Sequence, residues 1–392
     1  MRRELFVTAV LFVLALACSR SPRGTPVPAG ATGTARPGTL DVQWEYSTSP
    51  FAPLGILPDA LGRPFLFVAQ QDGGLLVLDV SEPRAATRAA MVNKQQLGNL
   101  AATGLAQRGS LVYISLGNSF AEGSEAGLAV VNATDPTRPS VESVWSSGIP
   151  GRGSSAVVID GSHAYLSAMS SGILIFDITD PGRPRLLASL QPDVNFPRPN
   201  PNSAQHPNAR GSALHENVLF AAYDAGGLRA IDVSNPGAPA EIGRYINAGP
   251  GTKQQAYNNV VIDWPYLYAA IDYCGLEIIN IEDPGNMRQV GWWNPWQCDS
   301  ASNLWFNSPG HTNQMAFNKE RQLVYLSAGD RELQIVDVTD PRQPRLIDQY
   351  GAPKNGLGAW GLAMAGETLY LSYVQALIPF KGEWAGVKAL AQ

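Results

Sequence analysis

Leu174-Ile175-Phe176-Asp177-Ile178-Thr179-Asp180-Pro181 runs an apolar stretch into a tight Asp-Pro turn, and the arrangement recurs along the chain. The turns are Asp79-Val80-Ser81-Glu82-Pro83, Asn132-Ala133-Thr134-Asp135-Pro136, Asp177-Ile178-Thr179-Asp180-Pro181, Asp232-Val233-Ser234-Asn235-Pro236, Asn280-Ile281-Glu282-Asp283-Pro284 and Asp337-Val338-Thr339-Asp340-Pro341. Their first positions lie 53, 45, 55, 48 and 57 residues apart. A period in this range marks a repeat architecture in which each copy is one small sheet.

The copy over 153–190 shows the unit. Ala156-Val157-Val158-Ile159 ends at Asp160-Gly161, Ala164-Tyr165-Leu166-Ser167 follows, and Gly172 leads into Ile173–Ile178. After the turn comes Arg185-Leu186-Leu187-Ala188-Ser189-Leu190. These are four short strands separated by turn residues. The third is apolar at nearly every position, as a strand covered on both faces must be. The Asp or Asn that opens each turn is expected to hydrogen-bond the backbone amides just ahead, while Pro pre-sets φ for the bend.

A seventh copy begins at Gly358-Ala359-Trp360 and runs through Tyr370-Leu371-Ser372-Tyr373, with a degraded third strand expected around Leu377-Ile378-Pro379-Phe380. Its fourth strand is missing there. Val42-Gln43-Trp44-Glu45-Tyr46 resembles the fourth strands Glu241–Tyr245 and Leu346–Tyr350. An N-terminal strand completing the last sheet would close the ring and leave no long unpaired edge. The expected fold is therefore all-β: a seven-bladed β-propeller over 41–392, closed by its N-terminal strand.

The stretches Leu174–Pro181 and Leu333-Gln334-Ile335-Val336-Asp337-Val338-Thr339-Asp340-Pro341 resemble the LVIVD repeat of bacterial and archaeal surface proteins. The resemblance extends over nearly all of 41–392 and implies a propeller exported to the cell envelope. The family brings no established activity and no agreed catalytic residues.

The N-terminus carries its own address. Arg2 and Arg3 precede the twelve-residue apolar run Leu5–Leu16, too short for a bilayer span that needs about 20 helical residues. Ala15-Leu16-Ala17-Cys18 resembles a bacterial lipobox, whose thiol is diacylated and becomes the mature N-terminus. The competing reading is an ordinary secretory signal cut near Ala17. Residues 1–17 are thus expected to be a signal peptide and Cys18 the lipidation site, with palmitate-type chains in the membrane. Ser19 after the cysteine favours the outer membrane, with the body facing the periplasm or the surface. Residues 18–40 are rich in Pro, Gly, Ser and Thr, and read as a flexible tether.

Formal net charge is −5 and falls to −6 once two arginines and one glutamate leave with residues 1–17. With no Lys/Arg cluster, nucleic acid is not an expected partner, since phosphate binding needs concentrated positive charge. Cys274 and Cys298 remain after Cys18, and an even pair in an exported chain is most simply a disulfide. Two free thiols or half a metal site are the alternatives.

Propellers present ligands where the loops before strand one and after strand two converge. Asp72, Asp224, Asp272 and Asp330 occupy such loops and could hold a hard cation, or be solvated turn residues. His163, His206, His215 and His311 show no metal-ligand spacing, and no Gly-x-Ser-x-Gly elbow is present. No cofactor is expected, and catalysis could come only from residues meeting across blades. Two oversized loops carry the stronger signal, since loops of this length are usually functional or disordered. Residues 191–210 bring Phe196, His206 and Arg210; residues 293–312 bring Trp296, Trp305, Phe306 and His311, stapled near Tyr273 by Cys274–Cys298. Rigid exposed aromatics suit protein interfaces and sugar stacking. Their alternative role is to plug the channel mouth, which suits Trp305 better, whereas Trp296 suits binding. The expected function is a non-catalytic interaction module for another envelope protein, with a carbohydrate or small-ligand module as the alternative and a hydrolase or lyase behind both.

Overall fold

The computed structural model describes residues 40–198, 207–376, 379 and 381–391. The signal segment 1–17, Cys18, the tether as far as 39, and His206 lie outside the described residues.

The repeated turns fold as their chemistry requires. In all six, the side chain of the first residue accepts from the backbone amide two residues on: Asp79 from Ser81, Asn132 from Thr134, Asp177 from Thr179, Asp232 from Ser234, Asn280 from Glu282 and Asp337 from Thr339, at 2.8–3.0 Å. The turns of blades three and five also meet the fourth strand of the preceding blade. Ser143 Oγ, on a fourth strand, donates to the carbonyl of Pro181 in the following blade at 2.7 Å. Gly243 occupies the same place one seam further but one, where any Cβ would collide with the Pro284 carbonyl.

These units build seven four-stranded antiparallel sheets. The first comprises Gly55–Pro58, Phe65–Ala69, Leu75–Asp79 and Thr87–Val92. Blades two to six begin at Ala102, Ala156, Ser212, Tyr257 and Met315. The seventh is Ala359–Ala365, Thr368–Tyr373, Gly386–Ala391 and, from the other end of the chain, Asp41–Ser47. In every blade the third and fourth strands slip register at one equivalent step, from Val77/Leu78 through Ile335/Val336. The borrowed strand carries the same slip, between Val42 and Trp44. A bulge sharpens twist, so Asp41–Ser47 is a full equivalent of the other fourth strands. Leu40, placed in the tether by composition, is buried against the last blade.

One strand differs from expectation. The third strand of blade seven is Gly386–Ala391, not the stretch around Leu377–Phe380. Pro379 supplies no ladder donor, whereas Val387-Lys388-Ala389-Leu390 is wholly buried.

The core runs between blades, and there the apolar pattern breaks at one position. The residue three before the end of strand three is Leu76, Ala129 and Leu174 in blades one to three, but Arg229, Glu277, Gln334 and Lys388 in blades four to seven. Glu277 is fully buried and accepts from Tyr245 Oη at 2.5 Å, Tyr257 Oη at 2.7 Å and Gln289 Nε2 at 2.6 Å. Burial pushes its carboxyl up to about 7, against the pull of those three donors. The fold therefore favours the protonated form. Stability from this group is full below its unfolded value of about 4.5 and is lost as pH rises towards 7, about 3 kcal/mol in all. Glu277→Gln should remove that loss. The check is the difference in denaturant midpoint between variant and parent at pH 5 and pH 7, which should change in the variant's favour; a constant difference contradicts it.

Candidate functional site

Inner strands are tied hand to hand around the central channel, and these ties aim the loops at one end. Thr103 Oγ1 donates to the Ser154 carbonyl at 2.8 Å, Ser155 Oγ to the Arg210 carbonyl at 2.7 Å, and Asn258 Nδ2 to the Thr312 carbonyl at 2.9 Å. The Arg210 amide bonds the Ala222 carbonyl at 2.9 Å, fixing that residue's backbone on both sides.

At this end the connections leave a mouth with two cavities. One, of about 410 Å³, is lined by Leu54, Phe120, Trp305 and Trp360, with Arg210, Asn258, Asp272, His311 and Asn313 turned into it. The other, of about 710 Å³, lies between Arg152, Arg210 and Asp224 on one side and Tyr273, Leu304, Trp305 and Phe306 on another. Arg210, Asp272 and Trp305 line both. Both volumes fall in the range that small ligands and anchoring side chains occupy, roughly 300–1,000 Å³.

A buried polar group holds the wall between them. His311 Nδ1 lies 2.5 Å from Asp272 Oδ1, and the Trp305 indole N–H donates to Asp272 Oδ2 at 2.7 Å. The Asp272 carbonyl accepts from both the amide and the hydroxyl of Thr312 at 2.8 Å. Trp305 is thus oriented by a hydrogen bond while its ring stays 42 % exposed. Tyr273 is buried, its hydroxyl donating to the Gln254 carbonyl, and burial pushes its phenol up to about 12.

The disulfide Cys274–Cys298 is formed, with Cα atoms 5.1 Å apart. It ties the 293–312 loop to the turn that carries Asp272 and Tyr273. Lys253 strengthens the tie, its Nζ donating to the carbonyls of Cys298, Ser300 and Asn303.

The two tryptophans of the 293–312 loop occupy different surroundings. Trp296 lines neither cavity; it packs edge-on against Trp293 at 6.0 Å and covers Gly310, where a Cβ would enter its ring. Trp305 faces the mouth, where a plug was expected, and Trp360 joins it there. Phe196 is also structural in kind: its ring lies over the guanidinium groups of Arg229 at 5.0 Å and Arg244 at 5.5 Å, and it lines neither cavity.

The four aspartates fall in two registers. Asp224 bridges Tyr257 as Gln71 bridges Ala102 and Gly329 bridges Ala359, and the Asp272 carbonyl takes the amide of Thr312 in the same manner. Asp72 and Asp330 each follow that position by one residue, so they do not complete a ring with Asp224 and Asp272. Asp72 is an exposed partner of Lys94 at 2.5 Å. Burial raises the Asp330 carboxyl, with Arg331, His311 and Lys354 pulling the other way. Among the described residues no three of His, Cys, Asp and Glu converge as metal ligands. His163 and His215 lie at the other end, where His215 stacks on Trp264 at 4.2 Å. Sequence reasoning missed Phe120, Arg152 and Asn313, on three connections, and Asn258 and Trp360, near the starts of first strands, with no common spacing among them.

Architecture and mouth together define a seven-bladed β-propeller with a cavity-bearing mouth at one end. The chain carries LVIVD repeats, matched over residues 64–92, 151–191, 208–247 and 323–351. Those stretches are in blades one, three, four and six; the other blades repeat the architecture with more divergent residues. No curated protein matches the sequence. Among solved structures it is similar to the WD40 repeats of RRP9, with 10 % identity over 92 % of this chain and 99 % of that one, TM-score 0.63. It is similar to U3-55K, with 10 % identity, 91 % and 100 % coverage, TM-score 0.62. Sqt1 of Saccharomyces cerevisiae follows at 9 % identity, 86 % and 83 % coverage, TM-score 0.55. At such identities these likenesses speak of fold alone.

Proposed function

We propose that this chain is a non-catalytic interaction module of the bacterial cell envelope, held to the membrane through lipidated Cys18 and docking another envelope protein on its loop-rich face. The anchor and address rest on the N-terminal signature Arg2-Arg3, Leu5–Leu16 and Cys18. The docking reading rests on one observation: Phe306 is 66 % exposed, Phe120 51 %, and Leu304 and Trp305 42 % each, all beside the mouth. Large apolar side chains gathered in this way mark interaction surfaces, and aromatic anchors dominate binding energy there.

The test places a photoreactive amino acid at position 306 and, as control, at Trp264, which is 45 % exposed at the opposite end. Irradiated cells should give a discrete adduct from 306 only, lost when Trp305→Ala is added. Equal adducts from both positions would refute the docking face.

A carbohydrate or small-ligand module is the second reading. It is favoured by the smaller cavity, lined by Phe120, Trp305 and Trp360 together with Asn258, Asn313 and Arg210. Envelope glycans would then raise the melting temperature, since a ligand that binds only the folded state must do so.

A further inference from the structure

The larger cavity is lined by three cations, Arg152, Arg210 and Lys253, against two carboxylates, Asp224 and Asp272, in a chain whose formal net charge is −5. What matters is which of these groups are already engaged. Asp272 is held by His311 and by the Trp305 indole. Asp224 accepts from Asn208 Nδ2 at 3.0 Å. Lys253 is consumed by three backbone carbonyls. The two guanidinium groups are not. Arg210 reaches Asp224 only at 3.5 Å, and its Nε is shielded from solvent without a hydrogen-bond partner. Arg152 makes no side-chain hydrogen bond or ion pair among the described residues, and its Nε is likewise shielded and unpartnered.

Two forked donors with spare capacity match a carboxylate, which such a fork can hold through two parallel hydrogen bonds. Both residues line the cavity, so their guanidinium N–H groups are the donors a bound anion would meet there. Across the same cavity Trp305 and Phe306 offer exposed apolar rings. An acidic group next to an apolar one is therefore the complement of this lobe.

We infer that the Arg152–Arg210 lobe receives the carboxylate of an acidic side chain in a partner polypeptide, with a neighbouring apolar side chain of that polypeptide against Trp305 and Phe306. The inference rests on the docking reading and adds the chemistry of what docks.

The test titrates the full mature chain with two blocked dipeptides, acetyl-Glu-Phe-amide and acetyl-Gln-Phe-amide, reading tryptophan fluorescence. The Glu peptide should bind at least about tenfold more tightly, as a charge-assisted bidentate contact gives. The preference should fall when salt rises from 50 to 500 mM. Arg152→Gln should erase it and Arg152→Lys should retain part, both at unchanged melting temperature, since Arg152 supports no other side chain. Equal affinities for the two peptides, or a preference that survives Arg152→Gln, would overturn the inference. Binding of sodium glucuronate in the absence of dipeptide binding would overturn the polypeptide source. A position-306 adduct that persists while the two peptides bind equally leaves the docking face standing and removes only its charge preference.

Discussion

A chain that starts at residue 48 should lose most of its folded stability compared with one that starts at residue 40. The segment removed contains the whole fourth strand of blade seven, Asp41–Ser47, paired along Gly386–Ala391. Trp44 is buried and contacts the Tyr370 ring at 5.9 Å. Leu40 is buried in the cluster on the other side, with Leu323, Leu333 and Leu390. Truncating a buried Trp to Ala costs about 3–5 kcal/mol, and whole domains are stable by only about 5–15 kcal/mol. Losing Trp44, Leu40 and the ladder together approaches that total. The survivors would also expose Gly386–Ala391 as an unpaired edge, a template for association between chains. The shortened chain should therefore unfold at far lower denaturant and sediment as oligomers. A peptide of residues 40–47 added in excess should restore the monomer. Coincident unfolding curves for the two chains would mean that ring closure contributes little, and Trp44→Ala would then also be silent.

That strand was readable because its signal is local: Val42-Gln43-Trp44-Glu45-Tyr46 looks like Leu346–Tyr350 on its face, down to the aromatic near its end. The turns were readable for the same reason, since an Asx side chain, a Pro and the three residues between them decide their own geometry. The third strand of blade seven was not. It lacks the Asp-Pro ending, and its partner strand comes from residue 41 onward, so the usual punctuation is missing. The mouth was half legible. Loop length and aromatic content located the 293–312 loop, but which tryptophan faces the cavity depends on Gly310 packing under Trp296 and on Asp272 holding Trp305. The four aspartates looked equivalent because a shift of one residue is invisible when turn lengths differ between blades. Arg152 gave no sequence signal at all, since what singles it out is the absence of any described partner in three dimensions. Arg229, Glu277 and Lys388 sit where an apolar residue was the rule, and their reasons are likewise tertiary.

Arg229→Leu should be the most damaging single substitution away from the closing strand. The side chain is fully buried in blade four, at the position filled by Leu76 and Leu174 in blades one and three. Its Nη1 pairs with Glu241 at 2.8 Å, its Nε donates to the Gly226 carbonyl at 2.9 Å, and its Nη2 donates to the Asp193 carbonyl at 2.9 Å. The Phe196 and Tyr223 rings each lie 5.0 Å away. Burial pulls the guanidinium down from its usual range and Glu241 pulls it back. Removing one member of a buried pair leaves the other desolvated and costs about 3–5 kcal/mol. Replacing both members with apolar residues is often neutral or better. Arg229→Leu alone should therefore unfold at much lower denaturant, while the double variant Arg229→Leu/Glu241→Leu should recover most of the loss. The loop should not recover with it. The carbonyls of Asp193 and Phe196 lose their donor in both variants, so residues 191–198 should become open to limited proteolysis even where global stability returns. If the double variant is as unstable as the single one, the penalty lies in the vacated volume, Arg244 Nε at 3.3 Å and the Asp193 amide at 3.1 Å having kept the Glu241 carboxylate paired in the single variant. If its loop stays resistant, Arg244, which pairs with Asp193 at 2.9 Å and lies against Phe196, is sufficient to hold it.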